Sequence, residues 1–206
     1  MVDRAAQFLA FRSRNGWIFT TMLISSCLSL MASFVLSLEA VRLAADPSAE
    51  LVCDINQVIS CGTVALSWQA SVFGFPNAFL GLIAEPVVIT MALAALTGVR
   101  FRRGFMLAAQ CVYTIGLGFA YWLFYQSVAH IGAVCPWCLL VTISTTLVFS
   151  TLTHVNIRDG NLPLPAALKA RLKRGIAAGV DLAIVVGWLS LLAVVIVVRY
   201  GQALIQ

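Results

Sequence analysis

Two cysteines three residues apart, in Cys135-Pro136-Trp137-Cys138, carry the strongest chemical signal in this sequence. In a first helical turn their Cβ atoms stand roughly 5–6 Å apart, so a modest closure makes a reversible disulfide. Pro136 suits the first helical position, where its missing N–H is not needed, and the positive end of the helix macrodipole then stabilises a thiolate at Cys135 or Cys138. The pattern also fits half a zinc site, a structural disulfide or two packed thiols. Haem attachment is excluded, because Leu139 and not histidine follows Cys138. A second pair, Cys53 and Cys61, is spaced C-x7-C; it could staple a loop, complete the zinc site, or serve as a mobile dithiol. Thiol–disulfide exchange needs a thiolate to attack a disulfide sulfur, so a mobile dithiol beside a fixed one would form a relay.

The elements that must position these groups are membrane spans. Of the 206 residues, 61% are hydrophobic and only 10% charged, which does not describe a water-soluble surface. Five apolar stretches, at about 17–38, 76–97, 105–126, 135–153 and 179–198, are long enough to cross or nearly cross a hydrocarbon core of roughly 30 Å. The first follows Arg4, Arg12 and Arg14 as a signal peptide would, but it is long and lacks a small-residue cleavage site, so it reads as an uncleaved span. The expected fold is an all-α integral membrane protein, a four-helix transmembrane catalytic bundle plus a fifth transmembrane helix. Its expected organisation is an N-terminal segment 1–16, a bundle 17–153 with a cysteine loop 39–75, a linker 154–178, and a fifth helix with a short tail 179–206.

The net charge of +5 follows topology; no basic face suggests nucleic acid. With the N-terminus in the cytoplasm, eleven of the thirteen Lys and Arg fall inside and only Arg42 and Arg199 outside. That orientation puts the C-terminus outside, together with Cys53, Cys61, Cys135 and Cys138, in a compartment where disulfides persist. Cys27 and Cys111 lie within spans and read as buried apolar fillers.

In the long loop, Leu51, Val52, Ile55, Val58 and Ile59 recur at helical spacing between polar residues. This predicts a short amphipathic helix on the membrane surface, bracketed by Cys53 and Cys61. The stretch 64–75 leads through Gly74 into Pro76, which suits the first turn of the second span. The loop is thus expected to cap the outer mouth of the bundle.

A loop pair of cysteines, then Ser67 with Phe73-Gly74-Phe75-Pro76 at the entry to span two, then Cys-x-x-Cys opening span four: this ordered combination resembles the bacterial vitamin K epoxide reductase family over about 17–153. The resemblance implies oxidation of thioredoxin-like (DsbA-like) extracytoplasmic proteins, reduction of a membrane quinone (menaquinone or ubiquinone), and residence in the bacterial cytoplasmic membrane. It makes Cys135 and Cys138 the active-site pair, Cys53 and Cys61 the shuttle pair, and Ser67 a neighbour of the quinone. Many relatives continue into a fused thioredoxin-like domain, so a chain ending at Gln206 implies a separate protein partner. A DsbB-like oxidase would place its Cys-x-x-Cys before the loop pair. A redox-inert binding protein or transporter with a metal site or structural disulfides is the alternative from another class, although no charged pathway or histidine cluster supports it.

Helix geometry places Cys138 one turn deeper than Cys135, so Cys138 should face the quinone and Cys135 should meet the loop; that Cys61 makes this contact and Cys53 exchanges with the protein substrate is what the resemblance implies. A quinone needs a largely apolar pocket with a few polar groups; Phe73, Asn77, Phe79, Tyr121 and Trp137 are the nearest candidates, with Asn77 the best polar one. Glu85, mid-span beside Pro86, is expected to be protonated and bonded to Gln110 or Thr114, about 13 Å inward of Pro76 at 1.5 Å per residue and away from the chemistry. His130 precedes Cys135 in a short loop and reads as a bystander. Gly116 and Gly118 are expected to permit close helix approach.

Overall fold

The computed structural model describes residues 11–204; Arg4 and the rest of segment 1–10, like 205–206, lie outside the described residues. Among the described residues seven α-helices follow one another: α1 (Asn15–Ala45), α2 (Cys61–Ala65), α3 (Ala78–Leu96), α4 (Arg103–Gln126), α5 (Pro136–Arg158), α6 (Ala166–Ala177) and α7 (Val180–Leu204). No strand occurs among the described residues; the one isolated bridge joins Ile59 to Val134. Five helices, α1, α3, α4, α5 and α7, are long and apolar enough to cross a membrane, as expected.

α1 is the centre of the bundle, packed against α3 and α5, while α4 packs against α5. Lipid tails are as apolar as leucine, so these helices associate through close packing and polar contacts rather than by leaving water. The inner face of α1 is accordingly small and polar: Ser25, Ser26, Ser29, Ala32, Ser33 and Ser37 are all buried. Gly81 of α3 lies so close that an added Cβ would overlap the hydroxyl of Ser33 and sit 2.8 Å from its Cβ. The expected approach at Gly116 and Gly118 is absent, since a Cβ at either would meet nothing within 4 Å. Away from the cysteines the core is filled by Ile18, Met22, Met91, Tyr113, Val148 and Leu152. Gln110 donates to Thr153 (3.0 Å) and accepts from Asn156 (3.0 Å), tying α4 to α5.

α1 runs seven residues past the expected end at Leu38, because Leu43 in its last turns buries under the loop against Leu51, Cys53 and Cys61. The expected linker 154–178 contains a helix of its own, α6, which breaks at Gly179 (φ 78°) before α7. α7 is almost wholly exposed along its length. Its base is pinned: Asp181 accepts from both terminal nitrogens of Arg12 (2.6 and 3.0 Å) and lies 2.7 Å from Nδ1 of His154.

Cys27 and Cys111 are exposed on the outer faces of α1 and α4, not buried fillers as expected. In a bilayer an apolar thiol is equally well solvated by lipid, so nothing drives it inward.

Candidate redox site

The loop before α2 is built by side chains that bond to backbone. Asn56 Oδ1 accepts from the N–H of Val58 (3.0 Å) and Ile59 (2.8 Å). The Asp54 carboxylate accepts from Leu51 N (3.1 Å), Gly62 N (2.9 Å) and Ser60 Oγ (2.7 Å). Such local bonds compete with a helix, and the amphipathic helix expected at 50–59 does not form. Val52 and Ile55, assigned to its apolar face, are exposed. The helix starts instead at Cys61, with Ser60 as its cap accepting from Thr63 N (3.0 Å). A Cβ at Gly62 would stand 2.8 Å from Asp54 Oδ2, so glycine lets the carboxylate close over the turn. Burial opposes ionisation of Asp54, but hydrogen bonds from Gly62, Ser60, Leu51 and Cys61 hold its carboxyl below the ordinary range.

On the other side, Ser127–Ile131 forms a single π-helical turn that ends at Gly132 (φ 76°), and the chain then runs extended into α5. Val134 N donates to Val58 O (2.8 Å), and Ser60 N donates to Val134 O (3.3 Å). This parallel bridge sets the two cysteine segments in register.

Its result is a contact between the pairs. Cys53 and Cys61 are disulfide-bonded, Cα to Cα 5.6 Å, and the Sγ of Cys61 lies 3.0 Å from the Sγ of free Cys135. Cys135 caps α5: its sulfur accepts from Cys138 N (3.4 Å), with Pro136 in the first turn. Both sulfurs of the contact are buried, whereas Cys138 is only half-buried.

Beneath them lies a cavity of about 600 Å³, which both Cys135 and Cys138 line. Its wall is mostly apolar, with Leu36, Leu80, Val112, Phe119 and Leu139. Ser67 and Asn77, two of the expected quinone neighbours, line it too. Ser67 Oγ donates to Val64 O (2.6 Å). Asn77 donates through Nδ2 to Gln69 O (2.6 Å), and its Oδ1 is buried without a hydrogen-bond partner.

The aromatic candidates are not in that wall. Phe73 stacks on Phe75 and leans on Phe119, Phe79 stacks on Phe75, and Trp137 packs beside the cysteine cluster. Tyr121 hydrogen-bonds Thr146 (2.8 Å) and meets the ring of Trp188 on α7. These rings serve packing between helices. Glu85 corrects its expectation in two ways: it accepts from Tyr113 OH (3.1 Å), not from Gln110 or Thr114, and it lines the same cavity as the cysteines. His130 is exposed, edge-on to Tyr125.

The sequence model of the vitamin K epoxide reductase family matches residues 20–153, which hold most of the bundle and both cysteine pairs of the site. The chain belongs to this family. No curated protein matches it. Membership makes it a multi-pass membrane protein of the disulfide-forming, quinone-linked oxidoreductase class, and the cavity suits the ring of such an acceptor in size and apolar lining.

One residue of the site is missing from the sequence reading. Glu39 is buried on α1, and its Oε1 and Oε2 lie 3.3 and 3.6 Å from the Sγ of Cys53. The sequence signal for it is an acidic residue that directly follows the uncharged run of span one, one position past the expected end at Leu38.

Proposed function

We propose that this family member oxidises thioredoxin-like dithiol proteins outside the cytoplasm and passes the electrons through two cysteine pairs to a membrane quinone. The observation that carries the reading is the 3.0 Å contact between Cys61, already in a disulfide, and Cys135, a thiol at a helix N-terminus. A partner dithiol first reduces Cys53–Cys61 through a mixed disulfide on Cys53. Cys61 thiolate then attacks Cys135 of the Cys135–Cys138 disulfide, and Cys138 departs as thiolate. Cys53 attacks Cys61, re-forming the loop disulfide and releasing Cys135. The structure corresponds to the product of that step, with the loop pair bonded and Cys135 and Cys138 free. As the cap of α5, with the Cys138 N–H on its sulfur, Cys135 is the better leaving group in this last exchange.

Re-oxidation of Cys135 and Cys138 to a disulfide gives up two electrons and two protons, which convert quinone to quinol. Cys138 is the donor, being the less buried of the two and lining the cavity. Ser67 and Asn77 supply polar groups, and the unpartnered Oδ1 of Asn77 can accept from a quinol hydroxyl. The bias of basic residues supports an orientation with the N-terminus in the cytoplasm and the C-terminus and cysteines outside, and the membrane we propose is a bacterial cytoplasmic membrane.

The test is quinol formation by the purified protein with a reduced thioredoxin-like protein and menaquinone or ubiquinone. Wild type is expected to turn over and Cys138→Ala to be inactive; turnover that survives loss of Cys138 overturns the relay.

A further inference from the structure

Glu39 meets the reacting sulfur of the loop pair directly. Its carboxyl group is buried, forms no ion pair among the described residues, and has its described hydrogen bonds to Cys53 Sγ alone. A carboxyl oxygen, Cys53 Sγ and Cys61 Sγ all lie within 4.8 Å of one another. A disulfide sulfur has no proton to donate, so the contact in this redox state is a hydrogen bond when Glu39 itself holds the proton. In the reduced state the same geometry places an acceptor on the Cys53 thiol.

We propose that Glu39 is a catalytic residue of the relay, taking the proton from Cys53 when its thiol turns nucleophile and returning it when Cys53 leaves as thiolate. The proposal rests on the relay described above. When the partner's second thiol breaks the partner–Cys53 bond, the partner becomes a disulfide, and the departing Cys53 sulfur takes its proton from the Glu39 carboxylic acid. When Cys53 later attacks Cys61 of the Cys61–Cys135 bond, its proton moves to the Glu39 carboxylate, the Cys53–Cys61 bond forms, and Cys135 leaves with the electron pair. Glu39 ends as the acid, its starting form.

The charged and titratable groups around it come from three elements. Arg42 follows one turn later on α1, Asp54 stands in the loop, and Cys135 and Cys138 come from the start of α5. Asp54 is held by its own donors at Leu51, Ser60 and Gly62, and its described contacts do not include Cys53. Glu39 is thus the only carboxyl group described in contact with this sulfur.

The experiment is quinol formation by the full chain in detergent, driven by a reduced thioredoxin-like protein and measured from about pH 6 to pH 9, for wild type, Glu39→Gln and Glu39→Asp. The Gln variant is expected to lose roughly tenfold or more at about pH 6.5, in line with general acid–base catalysis. It should approach wild type as the pH passes a free thiol's value of about 8.5, where Cys53 ionises unaided. The Asp variant should recover part of the loss at low pH. A Gln variant that equals wild type throughout, or one slowed by the same factor at every pH, overturns the proposal and leaves the relay standing. Wild-type protein that forms no quinol overturns both. Should the Gln variant fail to accumulate, the Asp variant decides alone: it is expected to be slowed at low pH only, and a pH-independent rate ratio to wild type overturns the proposal.

Discussion

Val134 donates its backbone N–H to the carbonyl of Val58 and accepts from Ser60 N, and this pair of bonds ties the two cysteine segments together. The bridge they form places Cys61, three residues after Val58, against Cys135, the residue after Val134. Val134→Pro removes the donor without charge change. Losing a hydrogen bond costs about 1 kcal/mol, and the larger effect is on positioning: exchange between the pairs should slow roughly fivefold to tenfold. Acid quenching and thiol alkylation after mixing with a reduced thioredoxin-like protein would follow the redox state of each pair, and unchanged exchange would show that the bridge does not set the contact.

Asp54 links the loop to pH. Its folded pKa lies below the unfolded value of about 3.9, so the unfolded state binds the proton more readily and the carboxylate stabilises the loop at neutral pH. That contribution is present above about pH 4 and is lost as the pH falls through the lower folded value. Limited proteolysis of the loop at decreasing pH should show increasing cleavage in wild type. In Asp54→Asn the loop should already be more susceptible at pH 7 and should respond less to acid.

Close packing of α1 on α3 depends on a missing side chain. Gly81→Ala inserts a methyl group where Ser33 already stands, and such overpacking costs about 1–3 kcal/mol. Thermal unfolding in detergent should shift down accordingly. Ser33→Gly in the same chain should restore part of the loss, and independent, additive effects of the two changes would contradict the contact.

Cys27 and Cys111 face outward and sit apart from the relay. Cys111→Ser should leave both turnover and thermal stability close to wild type, whereas loss of activity at normal expression would give Cys111 a part in the chemistry. Both thiols should react with a membrane-soluble maleimide in the folded protein, which a buried thiol would resist.

The spans and the cysteine pairs were legible because each rests on a strong local pattern: a long apolar run, or a spacing with few chemical uses. What was not legible came from side chains that answer to tertiary neighbours. Helical spacing at 50–59 lost to Asp54 and Asn56, whose bonds to backbone fix an irregular turn. Phe73, Phe79 and Tyr121 have the right chemistry and depth for the cavity, yet partner rings and helices claim them. Apolar periodicity also cannot tell core from lipid, because both solvate the same side chains, and the exposure of Cys27 and Cys111 is hidden from the sequence for that reason. Glu39 was cut off from its helix by ending the span where the apolar run ends, although the helix continues to Ala45.

The order of the cysteines along the chain has a consequence for biosynthesis. Cys53 and Cys61 are 8 residues apart, whereas Cys61 and Cys135 are separated by 74. Ring closure is entropically cheaper for the shorter segment, and during synthesis the loop pair emerges before span four exists. Its disulfide can therefore be made while Cys135 and Cys138 are still unsynthesised and the one earlier cysteine, Cys27, is held within span one. The nascent protein then arrives at assembly with its two loop sulfurs already committed to each other, and bringing up Cys135 is a docking event rather than a choice among thiols.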